Sequence, residues 1–172
     1  MTARSRVFIS YRRAETDGAA RLIYNYLTEK LGKSAVFMDI KGIAPGDVFR
    51  KTIAHELETC NTMIVVVSKS WTGKTEVDGR SRLHEEGDFV RMEIETALGR
   101  DIRVIPVLVH PMKMPHKEDL PEKLQYLTSL QHQEIQLGQR FEDDMARVVQ
   151  VIRPADLNSR IRRMLVPIAL GV

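Results

Sequence analysis

Three stretches of this chain carry side chains whose types and spacing could serve a small-molecule site. The first is Glu93, inside Asp88 to Leu98 (DFVRMEIETAL). A helical period puts Val90, Ile94, Ala97 and Leu98 on one core-facing side. Glu95 faces away, with Arg91 four residues earlier as an ion-pair partner. The helical neighbours of Glu93 are Phe89, Val90, Thr96 and Ala97, none of which can pair with its charge. A carboxylate on the flank of an apolar stripe, one turn after an aromatic ring, is either solvated or held in a cleft to act on a ligand. The second stretch is Ser10 to Glu15 (SYRRAE), directly after a short apolar run. The planar donors of Arg12 and Arg13 suit phosphate oxygens. The same residues also fit a solvated arginine pair beside a packed Tyr11. The third is Asp39 to Asp47 (DIKGIAPGD), where Gly42 and Gly46 permit positive φ and Pro45 stiffens the chain. It suits a cover over a ligand, a contact with a neighbouring domain, or a helix-initiating turn capped by Asp47.

Other chemistries find little support. Cys60 is the single cysteine, which excludes an internal disulfide and a thiolate metal cluster. A reducing compartment fits. His55, His84, His110, His116 and His132 show no metal-ligand spacing, so no metal is expected. Ser68 is not in a GxSxG elbow, and the glycine loop lacks both the Lys-Ser/Thr ending of a P-loop and a GxGxxG fingerprint. The net charge is +3, and Arg153, Arg160, Arg162 and Arg163 against Asp156 account for it. No broad basic face remains for nucleic acid, and 6% aromatic content is sparse for base stacking.

The elements that must position these groups alternate in type. Arg6–Ser10, Ala35–Met38, Thr62–Val67 and Arg103–Val109 read as buried strands, with Glu134–Leu137 as an edge strand. Asp17–Leu31, Val48–Cys60, Asp88–Arg100 and Phe141–Ile152 read as helices. Leu22, Ile23, Tyr26 and Leu27 form the stripe of the first, with Asp17 as its cap. Phe49, Ile53 and Leu57 form that of the second. A short helix is expected over Glu122–Leu127. Ser68–Gly87 is long and polar. Thr62–Val67 is apolar and β-branched throughout, as a central parallel strand covered on both faces must be. Parallel neighbours require crossovers, so the pattern implies an α/β, flavodoxin-like three-layer sandwich. Its five-stranded parallel sheet is expected in the order 2-1-3-4-5. Ligands bind such sheets at the strands' carboxyl ends. The loops at that end are Ser10–Thr16, Asp39–Asp47 and Ser68–Gly87. Residues 1–153 are expected to form one domain. Residues 154–172, basic then uncharged and apolar from Met164, read as a tail, or as the start of a linker or membrane anchor that continues beyond residue 172. No secretory signal is expected at the start, and no run on the order of 18 apolar residues is present.

Taken together, these residues resemble a family. Val7 to Arg13 (VFISYRR) is similar to the first box of TIR (Toll/interleukin-1 receptor) domains. Val36 to Asp39 (VFMD) followed by Pro45-Gly46 resembles the second box and its BB loop. Asp88 to Ile94 with Ala97-Leu98 resembles the αC helix of bacterial, NAD⁺-cleaving TIR domains, and Val104 to Val107 resembles the strand that follows. The likeness covers roughly Arg6 to Ile152, and four motifs in order are far more specific than any one. The third family box, Phe-Trp near the C-terminus, is not recognisable. Many active members also carry Trp where this chain has Phe89, which keeps a π-face but loses the indole N–H.

The resemblance implies a role for each matching residue. Glu93 matches the catalytic glutamate. Tyr11, Arg12 and Arg13 match the loop lining the nucleotide pocket, and Asp39 belongs to the BB loop beside it. Phe89 offers a stacking face, while Ser68 and Trp71 are expected near the pocket mouth. Pro45 and Gly46 match the loop through which such domains self-associate. The implied activity is that of an NAD⁺ nucleosidase, giving nicotinamide and ADP-ribose or a cyclic ADP-ribose. NAD⁺ is then a substrate, with no bound cofactor, and other TIR domains are the partners. The implied setting is cytoplasmic signalling or antiviral defence, at the inner face of a membrane in a longer parent. Two other functions share the fold: a non-catalytic TIR–TIR adaptor, and a nucleoside deoxyribosyltransferase, which also uses a glutamate on a flavodoxin-like sheet.

Overall fold

The computed structural model describes residues 5–13, 17–38, 49–69, 71–73, 81–100 and 102–152. The chain alternates as β1 (Val7–Ser10), α1 (Asp17–Leu31), β2 (Val36–Phe37), α2 (Phe49–Thr59), β3 (Thr62–Val67), α3 (Phe89–Gly99), β4 (Arg103–Val109), β5 (Gln133–Ile135) and α4 (Phe141–Ile152). Short 3-10 turns lie at Lys33–Ala35, Arg82–His84, Lys117–Asp119 and Glu122–Ser129. All strands run parallel, in the order β2-β1-β3-β4-β5. This is the architecture expected from the alternation of elements.

Period-two alternation along each strand divides the core between the two sheet faces. Val7 and Ile9 of β1, Ile64 and Val66 of β3, and Ile105 and Val107 of β4 join one cluster with α1 and α4. Phe8, Met63, Val65, Val67, Val104 and Leu108 join the other, with Leu57 of α2 and Val90, Ile94 and Ala97 of α3. Every residue of β3 is buried. Each fully buried aliphatic side chain contributes roughly 1.5–3 kcal/mol of transfer free energy, so the alternation itself selects the register.

The larger departures from the expected bounds or faces are in α1, β2, β5 and the segment that precedes β5. Leu22 is 45% exposed; α1 buries Ala19, Ala20, Ile23 and Leu27 instead. Tyr26 packs edge-on against Phe141 of α4 at 6.0 Å. β2 is shorter than Ala35–Met38, because a 3-10 turn takes Ala35. β5 begins at Gln133 and ends at Ile135, before the expected Leu137. The cause is local: Gln136 N–H donates to the buried Asp144 carboxylate at 2.8 Å, and Gly138 turns the chain at φ +120. The expected Glu122–Leu127 helix is a longer 3-10 segment that buries Leu124 and Leu127.

The Asp17 cap, the Phe49 and Ile53 side chains, the loop Asp39–Asp47 and the tail 154–172 lie outside the described residues. Among the described helices, none is long and apolar enough to cross a membrane.

Ile23 and Leu22 are neighbours with opposite environments, which makes them a test of the packing. Ile23→Ala is expected to lower unfolding stability by about 2–5 kcal/mol in urea denaturation. Leu22→Ala should cost about 0.5 kcal/mol or less. Equal losses would show that α1 packs with a different face.

Candidate active site

At the carboxyl end of β1 the chain leaves the sheet through Tyr11-Arg12-Arg13. α3 begins nearby, on the sheet face that carries the second core cluster. Asp88 is its N-cap, and its carboxylate accepts from Arg91 N–H at 3.0 Å. An acidic cap there also suits the positive end of the helix dipole.

Arg12 and Asp88 are both buried and face each other. Arg12 Nη1 donates to Asp88 Oδ2 at 2.7 Å, and Nη2 donates to Oδ1 at 3.0 Å. Arg12 Nε donates to the Trp71 carbonyl at 2.7 Å. This fork-on-fork geometry offsets the cost of desolvating two charges. It also corrects one expectation. Arg12 lines the cavity, but its charge is matched by Asp88, and the residue joins β1, the segment after β3, and α3.

The cavity itself measures about 260 Å³. It is lined by Tyr11, Arg12 and Arg13 after β1, by Arg82, and by Asp88, Phe89 and Glu93 at the start of α3. Glu93 is 8% exposed. Ser10 Oγ donates to its Oε2 at 2.6 Å, a short charge-assisted bond. The carboxylate is therefore held in the cleft wall beside Val90 and Ile94, where low polarity strengthens its electrostatic effect on a ligand. Phe89, 48% exposed, lies at the same cavity and presents an aromatic surface. Such a site can set negative charge beside an electron-poor carbon, accept hydrogen bonds from hydroxyls, and offer a ring for stacking. The expected pair of Arg91 and Glu95 forms on the neighbouring side of α3, Nε to Oε1 at 2.7 Å.

Two expected members stand elsewhere. Trp71 is fully buried in the core cluster, not at the pocket mouth. Its indole Nε1 has no hydrogen-bond partner among the described residues, and its link to the site is the carbonyl that holds Arg12. Ser68, 4% exposed at the end of β3, accepts from Trp71 N–H at 3.0 Å through its own carbonyl and does not line the cavity. The turn closed by that bond follows β3 directly, and the large apolar indole is buried in the core cluster. Asp39, Pro45 and Gly46 lie outside the described residues. Cys60 is buried, and that burial pushes its thiol pKa up, so it offers no nucleophile here.

Sequence reasoning missed Asp88 and Arg82 as cavity residues. Asp88 carried a signal: an Asp just before an apolar helix is a cap whose carboxylate sits at the helix entrance. Arg82 carried none, since it lies in a long polar stretch without periodicity. Among the described residues, no group of three His, Cys, Asp or Glu is placed to hold a metal ion.

Arg12→Ala is expected to destabilise the ligand-free domain by about 3–5 kcal/mol, because it strands a buried carboxylate. In a double-mutant cycle with Asp88→Ala, the two losses should be far from additive. Additive, small losses in denaturant unfolding would mean that the pair does not hold the site together.

Comparison with known proteins follows the same geometry. The TIR domain family model matches residues 7–149. No curated protein matches the chain. Among solved structures, a metazoan TIR-STING receptor from C. gigas in complex with 2′,3′-cGAMP is similar at 19% identity and TM-score 0.55. The match covers 86% of this chain and 39% of the receptor chain, so this chain spans well under half the receptor's length. The TIR domains of the activated Roq1 resistosome, which directly recognises the pathogen effector XopQ, are similar at 16% identity and TM-score 0.58. There the match covers 86% of this chain and 96% of the other. The TIR domain of the Toll-related receptor TRR-2 from Hydra magnipapillata is similar at 17% identity and TM-score 0.56, over 86% and 98%. The family match spans β1 to α4, including every described residue of the cavity, and on that ground the chain belongs to the TIR domain family.

Proposed function

We propose that this domain cleaves the nicotinamide–ribose bond of NAD⁺. The observation that carries the proposal is the placement of Glu93, buried in the cavity wall and oriented by Ser10. The family resemblance of the αC motif supports the same assignment.

The chemistry asks little of the protein. The C1′–N1 bond of NAD⁺ breaks with its electron pair moving to the pyridinium ring, so nicotinamide departs neutral. Water then forms the C1′–O bond and releases a proton, giving ADP-ribose. A ring hydroxyl or base nitrogen in place of water would give a cyclic product. A glycosidase needs two carboxyl groups because its leaving oxygen must be protonated. Here one suffices. Glu93 sets negative charge beside the oxocarbenium-like ribose and accepts hydrogen bonds from its hydroxyls. Phe89 offers its face to the nicotinamide ring. Catalysis then comes from a carboxylate fixed before substrate arrives, which needs no reorganisation in the transition state.

Glu93→Ala should abolish nicotinamide release from NAD⁺ in a clustered or crowded preparation, while its melting curve stays cooperative. Glu93→Gln should lose at least about 100-fold in kcat, the usual scale for removing one such electrostatic group. Wild-type turnover in either variant would reject Glu93 as the catalytic carboxylate, and no nicotinamide release from the wild type itself would reject the enzyme reading and leave a TIR–TIR docking module.

Self-association through the Pro45-Gly46 loop belongs to the same proposal, on the resemblance of that segment to the BB loop. Activity per molecule is then expected to rise with protein concentration. A flat dependence over a hundredfold range, read by nicotinamide release, would count against it.

A further inference from the structure

The nucleotide reading requires a cation for the diphosphate, and the cavity has three arginines. Arg12 is committed to Asp88 by two hydrogen bonds and to the Trp71 carbonyl by a third. Arg13, after β1, and Arg82 also line the cavity. Arg82 is not a loosely tethered surface residue. Its backbone N–H donates to the Gly73 carbonyl at 3.4 Å. Ser81 beside it donates from Oγ to the Thr72 carbonyl at 2.7 Å and caps the 3-10 turn through Leu83 N–H. The Arg82 stem lies directly on Gly73, so that a Cβ at that position would come within 3.1 Å of Arg82 Cδ and 3.2 Å of Arg12 Nε. Gly73 has φ +58, a conformation that favours glycine. Backbone and stem of Arg82 are thus fixed against the same strip that holds Arg12. Among the described residues its guanidinium has a 4.0 Å approach to Glu85, both groups being about half exposed, which is a weak competitor for a phosphate.

We propose that Arg82 is a ligand-recognition residue of this cavity that binds the diphosphate of a dinucleotide substrate. The inference rests on the nucleotide reading above and assigns the anion contact to a residue outside the Tyr-Arg-Arg loop. Diphosphate then lies beside the strip that holds Arg12, while Glu93 addresses the sugar.

The test separates binding from turnover. ADP-ribose binding by calorimetry needs no catalysis. Arg82→Gln, which keeps the stem against Gly73, should weaken it about tenfold or more, as loss of a charged hydrogen bond does. Arg82→Lys should recover part of that loss. The KM for NAD⁺ should rise in step, while nicotinamide riboside, which has the same scissile bond and no diphosphate, should show no such rise. Unchanged ADP-ribose affinity in Arg82→Gln overturns the proposal, as does an equal rise in KM for both substrates. Turnover that depends on Glu93 while Arg82 proves silent leaves the nucleosidase reading standing and this one rejected. Arg82-dependent ADP-ribose binding without any turnover does the reverse.

Discussion

The buried contact between Arg12 and Asp88 is the constraint on which the rest of the site depends. A single charge stranded at that depth costs several kcal/mol, so neither residue can leave without the other. The two belong to elements 76 residues apart in sequence. Their contact fixes where the chain leaves β1 and where α3 begins. Asp88 does this while capping its own helix, because one carboxylate oxygen accepts from both Arg91 N–H and Arg12 Nη2. Arg12 adds the segment after β3 by holding the Trp71 carbonyl. Three separate segments are therefore locked at one corner of the sheet.

Glu93 inherits its position from that lock. It lies little more than one helical turn beyond Asp88, and Ser10 lies two residues before Arg12. Joining Arg12 to Asp88 brings Ser10 within 2.6 Å of the Glu93 carboxylate. The residues beside Glu93 on α3, Val90 and Ile94, are anchored in the core, so the helix cannot rotate to release the carboxylate without exposing them. An ordinary packing face thus ends in an acidic group at the rim of a cleft. The energy that holds the group in place is hydrophobic, and Ser10 only fixes its direction.

The sheet decides why this corner becomes a cleft. β1 lies between β2 and β3, and the chain runs outward from it in both directions. Connections from neighbouring strands at such a point depart to opposite faces and leave a crevice at the carboxyl ends. The buried Ile9 and Val90 form part of its lining. Arg82 adds a further lining residue from the segment that Ser81 ties to Thr72, and Gly73 leaves room beside it for Arg82 Cδ and Arg12 Nε.

Strand and helix identities, their order and the parallel topology were legible in the amino-acid sequence, because apolar periodicity and crossover rules are local properties. The stripe of α4, the burial of β3 and the Arg91–Glu95 pair follow from spacing alone. Glu93 could be singled out as a carboxylate without a helical partner, and its family match gave that carboxylate a role. Spacing could not tell a solvated glutamate from a held one, since Ser10, 83 residues away, supplies the contact. Nor could it tell that Arg12 meets Asp88, that Leu22 faces out, or that Trp71 lies within the core. Arg82 had no signal at all, because its neighbours on the cavity wall come from two other parts of the chain. Patterns along one element report which face is apolar; only the packing of elements distant in sequence decides which polar groups meet.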